Sequence, residues 1–151
     1  MKKVIVFGMS LMLSWSCNNL TEKSATHQET ENHIAHQHDE SSEAVELNNG
    51  EKWLVNEEMK PFVLKGEKLV NVYIQNNHTD YKALAQQVKD QNSLLIKSCT
   101  MDGKSHEELH KWLHPHLEIV KVLENETNET KANETVLHLQ HSYREYHEYF
   151  N

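Results

Sequence analysis

Residues 98–116 read SCTMDGKSHEELHKWLHPH and contain one thiol, one thioether and four imidazoles. His106 and His110 are four positions apart, so on a helix their rings lie one above the other and can bind the same ion. Cys99 and Met101, in the preceding turn, would add sulfur ligands. Sulfur combined with imidazole suits Cu(I) first and Zn(II) second, whereas Mg²⁺ or Ca²⁺ would require oxygen ligands. The stretch therefore predicts a transition-metal site, with copper preferred over zinc.

The same stretch contains a protease pattern. HEELH (residues 106–110) matches H-E-x-x-H, in which two histidines bind zinc and Glu107 would act as general base. The longer metzincin pattern would add His116 as a third ligand, but Leu113 replaces its glycine. No strand is predicted to hold a substrate, and no methionine follows Met101. We interpret the match as coincidental and predict that the protein is not an enzyme.

Helical periodicity dominates the last hundred residues, and no segment has the pattern of a strand. The short breaks between four periodic segments favour antiparallel neighbours. The sequence predicts an all-α fold, an up-down-up-down antiparallel four-helix bundle formed by residues 51–151. The predicted buried seams are Val55, Met59, Phe62, Gly66, Leu69 and Tyr73; Leu84, Val88, Gln91 and Leu95; Leu109, Leu113, Leu117 and Val120; and Ala132, Val136, Leu139, Tyr143, Tyr146 and Phe150.

Local signals mark the ends of these helices. Ser105 and Glu108 form the S-x-x-E pattern of a capping box and predict the start of the third helix. Pro61 and Pro115 each remove a backbone donor and should kink or restart their helices. Because the residue before proline avoids the α region, His114 is expected at a joint.

Antiparallel packing brings the start of helix one, the ends of helices two and four, and the start of helix three to one end of the bundle. Met59 and His147 fall near that end and are candidates to complete the coordination of an ion held by Cys99, His106 and His110. His116 is expected to be half-buried. The remaining histidines of these helices should point to solvent: His114, His138 and His141.

The first seventeen residues, MKKVIVFGMSLMLSWSC, resemble a bacterial lipoprotein leader. Two lysines precede a short apolar run, and Cys17 would be lipidated and become the mature N-terminus. This predicts a cell-envelope protein anchored to a membrane by lipid. Removing the leader removes two of the 15 basic and none of the 23 acidic residues, so the formal charge moves from −8 to −10. A nucleic acid is therefore an unfavourable partner.

Residues 18–50 are polar and acidic and lack aromatic side chains, which predicts a disordered tether. Four tether histidines beside acidic residues could capture a metal ion weakly: His27, His33, His36 and His38. Once Cys17 is assigned to the lipid, Cys99 has no partner for an intramolecular disulfide.

Three stretches together resemble a group of small, uncharacterised, His-rich helical lipoproteins of Bacteroidota. They are LNNGEKWLVNEEMKP, TDYKALAQQVKDQNSLLIKSCTM and HEELHKWLHPHLEIV, and the similarity covers most of Leu47 to Asn151. It implies a His-rich tether followed by a helical domain in the envelope, and it implies no activity.

Besides the zinc metalloprotease, which is a less favoured alternative, two others remain open from the sequence. In one, the bundle binds no metal and is an envelope interaction module, with Trp53 and Trp112 as interface anchors. In the other, Met59 and a histidine hold a non-covalent haem, which is the less favoured reading. Covalent c-type haem is excluded because the chain has no C-x-x-C-H motif.

Overall fold

The computed structural model describes residues 43–151, and these form the predicted all-α four-helix bundle. The helices are α1 (Lys60–Gln75), α2 (Tyr81–Ser98), α3 (Gly103–Asn125) and α4 (Glu129–Tyr149). Each helix packs against the next along the chain and α4 packs against α1, so the four close into a ring, with α2 also touching α4. Within the described residues, no helix combines the length and apolar character needed to span a bilayer.

Helix α1 begins later than its periodicity suggests. The predicted seam starts at Val55, but the helix starts at Lys60 and Pro61 occupies its first turn. Proline is tolerated there because the first amide groups of a helix have no intrahelical acceptor. The buried face is also rotated slightly: Val63 and Val70 are buried, whereas the predicted Phe62 and Leu69 are only half-buried.

The seams of α2 and α4 are confirmed in full. Every predicted seam residue of both segments is buried. Asp80 accepts a hydrogen bond from the Ala83 amide at 2.9 Å, and Asn128 accepts one from the Lys131 amide at 3.0 Å. These caps satisfy amide groups that would otherwise lack acceptors at the helix starts.

Two predictions about α3 are wrong. The capping box does not form, because α3 starts at Gly103 and the Ser105 hydroxyl donates to the Asp102 carbonyl at 3.1 Å. The helix also continues through Pro115, so His114 lies within it and at no joint. Proline removes one backbone hydrogen bond, but the helix is held on both sides of it by two buried side chains, Trp112 and His116.

The last eight residues of the predicted tether belong to the folded domain. Residues 43–55 form an N-terminal strap that turns through Asn49 and Gly50, both at positive φ, between mutual backbone hydrogen bonds of Asn48 and Glu51. Asn-Gly is the preferred pair for such a tight turn. The Trp53 amide then donates to the Tyr149 carbonyl at 2.7 Å. The leader with Cys17, and the tether residues 18–42, lie outside the described residues.

Composition could not reveal the strap, because its backbone hydrogen bonds and its contacts with α3 and α4 do not depend on a run of apolar residues. Val45 is its one buried apolar side chain before the turn, with 7% of its surface exposed. The strap contacts Glu108 and Lys111 of α3 and the last residue of α4, Tyr149.

We expect Gly66→Ala to destabilise the protein by about 2 kcal/mol. A methyl group at this position would overlap the Tyr143 hydroxyl and lie 3.0 Å from the ring carbon that carries it. Elsewhere in a helix the same change would stabilise by about 1 kcal/mol, so the expected sign is reversed. Urea unfolding measures the effect.

The double variant Gly66→Ala/Tyr143→Phe should recover part of the lost stability, because it removes the oxygen that the methyl group meets. Lys65→Ala, at an exposed position of the same helix, is the control. Equal losses in the single and double variants would contradict the packing explanation.

Candidate metal centre

Three histidines form a column along the solvent-facing edge of α3. The Nε2 atoms of His106 and His110 are 3.0 Å apart, and the Nδ1 atom of His110 lies 3.0 Å from Nε2 of His114. Successive rings meet edge-on, with centroids 4.5 and 4.9 Å apart. His106 and His110 are half-buried and His114 is exposed. We call these three residues the histidine column.

The sequence identified two members of the column and missed the third. The helical pattern predicts that His114 points to solvent. Its side chain is exposed as predicted, but its ring also contacts His110. The signal was present in the spacing, because 106, 110 and 114 repeat every four residues. The expected break at Pro115 obscured it.

The two predicted sulfur ligands lie at the connection between α2 and α3. Cys99 is the C-cap of α2, Met101 lies in the following turn, and both are partly buried against the core. Among residues 43–151, no three His, Cys, Asp or Glu side chains are grouped so that they could hold one metal ion. The structure therefore does not bring Cys99 into a three-ligand group with His106 and His110.

The two remaining predicted ligands are occupied elsewhere. Met59 is 1% exposed and belongs to the hydrophobic core. The Nε2 atom of His147 lies 2.9 Å from a carboxylate oxygen of Glu67, so it joins α4 to α1. Neither side chain is part of the histidine column.

The longer protease pattern does not converge in three dimensions. His116 is fully buried, with its Nδ1 atom 3.0 Å from the Ser142 hydroxyl of α4. It lies about 80° around the helix axis from His106 and about 120° from His110. Glu107 is exposed, and its carboxylate lies 3.9 Å from the Lys104 ammonium group.

His116 is instead the centre of an aromatic cluster between α3 and α4. Its ring stacks on Trp112 and meets Tyr143 edge-on, each at a centroid distance of 4.8 Å. Burial lowers the pKa of His116 to about 3, so the ring is neutral, and burial raises the pKa of Tyr146 to about 12. His116 is therefore fully buried, and the prediction that it would be half-buried is wrong.

The tryptophans differ in their surroundings. Trp112 is 2% exposed and its indole N–H donates to the Ser142 carbonyl at 2.8 Å, so it is a core residue and the prediction of an interface anchor is wrong. Trp53 is half-buried, and its indole N–H donates to the Glu46 carbonyl within the strap at 2.6 Å.

Glu108 is a fully buried carboxylate with three donors around it. It accepts from the Glu46 amide at 2.8 Å and pairs with Lys104 at 2.8 Å and Lys111 at 3.0 Å. Burial alone would raise the pKa of Glu108, but the hydrogen bonds from Lys104, the Glu46 amide and Lys111 outweigh it and hold that pKa below its ordinary value. The carboxylate that was predicted to cap α3 therefore fastens the strap to it.

Comparison with known proteins gives no further assignment, since no family model, curated protein or solved structure matches this chain.

We expect His116→Phe to flatten the acid dependence of stability. The pKa of His116 is 6.5 in an ordinary setting and about 3 in the fold, so the unfolded chain binds more protons between these values. The free energy of unfolding therefore falls as pH drops through this window, by about 3 kcal/mol between pH 7 and pH 4.

Urea unfolding at the two pH values tests this, with His138→Phe on the exposed face of α4 as control. The free energy of unfolding of His138→Phe should fall between pH 7 and pH 4 by as much as that of the wild-type protein. A His116→Phe variant that loses as much stability as wild type would contradict the assignment.

We expect Glu108→Gln to destabilise the protein by about 2 kcal/mol, because two lysines lose the buried charge that pairs with them. Hydrogen exchange at the Glu46 amide should speed up as the strap loosens. Since the pKa of Glu108 is depressed in the fold, its contribution is complete above about pH 4.5 and is lost as pH falls below that value.

Glu107→Gln is the matched control, because it changes the neighbouring carboxylate that is exposed. It should leave both stability and the exchange of Glu46 unchanged. Equal effects of the two variants would show that the strap does not depend on the buried carboxylate.

Proposed function

We propose that this protein is a lipid-anchored cell-envelope protein that binds a transition-metal ion, copper first and zinc second, for sequestration or transfer. The observation that carries the proposal is the 3.0 Å separation of the His106 and His110 Nε2 atoms on consecutive turns of α3. The leader, which supports a location in the cell envelope, and the tether histidines are features of the sequence alone.

The geometry of this pair fits a bound ion. Metal–imidazole distances are about 2.0–2.1 Å. Two nitrogens 3.0 Å apart then subtend an angle of about 95° at an ion placed between them. This is close to the right angle between neighbouring ligands in tetragonal Cu(II) complexes and narrower than the tetrahedral angle that Zn(II) prefers.

The third histidine supports the pair without binding the same ion. When Nε2 of His110 binds a metal, its Nδ1–H can donate to Nε2 of His114, 3.0 Å away. Ligating histidines usually have such a partner, which fixes the tautomer and the ring orientation. His114 thus prepares His110 as a ligand.

The paired imidazoles support the preference for copper. Imidazole nitrogens suit Cu(II), Zn(II) and Ni(II), and affinity within this group is highest for Cu(II). Two protein ligands leave further coordination positions for water or for a receiving molecule. An ion held this way can leave by ligand exchange, which fits hand-over as well as storage.

An interaction module without metal is the second candidate, and one surface favours it. Leu54 is 75% exposed at the strap, beside Trp53, and both line a shallow cavity of about 550 Å³ together with Lys52 and Ser105. Exposed apolar side chains beside a half-buried tryptophan are typical of a protein contact.

Calorimetric titration with Cu(II) tests the proposal. The background should be the protein with His27, His33, His36 and His38 replaced by alanine, so that binding by the tether does not mask the column. We expect His106→Ala and His110→Ala each to weaken binding at least tenfold, and His114→Ala to weaken it by about tenfold.

Two controls separate the column from other donors. His138→Ala/His141→Ala removes two exposed histidines of α4 and should leave binding unchanged. Cys99→Ser should also leave it unchanged, whereas loss of binding in that variant would restore the thiolate as a ligand. Binding that is as tight in His106→Ala and in His110→Ala as in the parent protein would contradict the proposal, and no binding at all would leave the interaction module.

A further inference from the structure

The histidine column has two places for an ion, and they share one ring. His110 directs Nε2 toward Nε2 of His106 and Nδ1 toward Nε2 of His114, with both separations at 3.0 Å. The three imidazoles do not converge on one point, which agrees with the lack of any three-ligand group among the described residues. They form two consecutive nitrogen pairs instead.

We propose that the column binds two Cu(II) ions, one between His106 and His110 and one between His110 and His114, with the ring of His110 as an imidazolate bridge. This inference rests on the proposed function, because it assigns a second ion to the same side chains. It extends that function by making His114 a ligand in the doubly loaded form.

The helix repeat matches the spacing that such a bridge requires. Four residues advance about 6 Å along the helix axis, so successive histidines are offset by this distance. Two ions that each lie about 2.0 Å from opposite nitrogens of one imidazole are also about 6 Å apart. One continuous helix through Pro115 keeps the offset constant from His106 to His114.

The second ion displaces a proton. In the singly loaded form His110 binds the first ion through Nε2 and carries a proton on Nδ1, which hydrogen-bonds to His114. When the second Cu(II) binds, its ligands are Nδ1 of His110 and Nε2 of His114. The proton that His110 carried on Nδ1 passes to solvent. The first ion should therefore bind more tightly than the second, which also has to overcome repulsion between two cations.

Cu(II) titration followed by electron paramagnetic resonance tests the proposal in the protein that lacks the four tether histidines. Each isolated Cu(II) carries one unpaired electron, whereas two ions joined by imidazolate couple antiferromagnetically. The integrated signal should rise to one equivalent with the first ion and then fall as the second binds. Calorimetry should give two ions per chain.

Substitution of either outer histidine should leave one ion per chain, whereas substitution of the shared His110 should leave none. His114→Ala should keep only the first ion, His106→Ala only the second, and His110→Ala should lose both, in each case without the fall in signal. His138→Ala/His141→Ala should keep two ions and the fall. All these side chains are exposed or half-buried, and circular dichroism can confirm that the helices are retained.

Other outcomes separate the two proposals. Three results would overturn the bridge and leave the proposed function intact. They are binding of only one ion, binding of two ions with an additive resonance signal, and retention of a second ion in His114→Ala. If no binding depends on His106 or His110, the proposed function and the bridge both fail.

Discussion

The contact between α3 and α4 sets the rotation of α3 about its own axis, and the candidate site depends on that rotation. Trp112 donates to the Ser142 carbonyl at 2.8 Å, and His116 meets the Ser142 hydroxyl at 3.0 Å, so two residues one turn apart are fixed on the same residue of α4. At about 100° per residue, Glu108 then lies about 80° to one side of His116 and His106 about 80° to the other. One edge of α3 receives the strap and the opposite edge carries the histidine column.

Two buried ionisable side chains of α3 differ in the charges around them. Glu108 is enclosed, and the donors around it replace the water that it loses, which keeps the carboxylate ionised. His116, enclosed just as fully, has no opposing charge against it and is therefore neutral. The column lies outside both enclosures, with His106 and His110 half-buried and His114 exposed.

The sequence could predict the helices, because repeats of three and four apolar residues and short polar breaks are local features. It also placed Cys99, Met101 and His106 near the same end of the bundle. Prediction from the sequence failed where residues distant in the chain determine which hydrogen bonds a side chain or segment makes. Glu108 has the sequence signal of a cap, but three donors from the strap and from α3 take its oxygens. The strap itself depends on pairing with residues about a hundred positions away, such as Trp53 with Tyr149.

The rotation of the third helix was harder to predict than its existence. Trp112 and His116 belong to the core. The leucine seam predicts a narrow apolar face that excludes the tryptophan, whereas the buried face of α3 is wide. Pro115 added to the error, since a break there would have released His114 from the helix. Only packing on both sides of the proline shows why the helix continues.

A site formed on this edge has a consequence for how metal and fold are linked. In small metal-dependent domains the ion supplies the folding free energy, so its binding and folding cannot be separated. Here α3 is already fixed by Trp112 and His116, which contact Ser142 of α4, and by Glu108, which pairs with the strap. The three imidazoles are therefore held in place by the fold itself, and an ion bound as proposed would not have to supply folding free energy. Such independence would suit the proposed uptake and transfer of metal, because each exchange would leave the same folded domain behind.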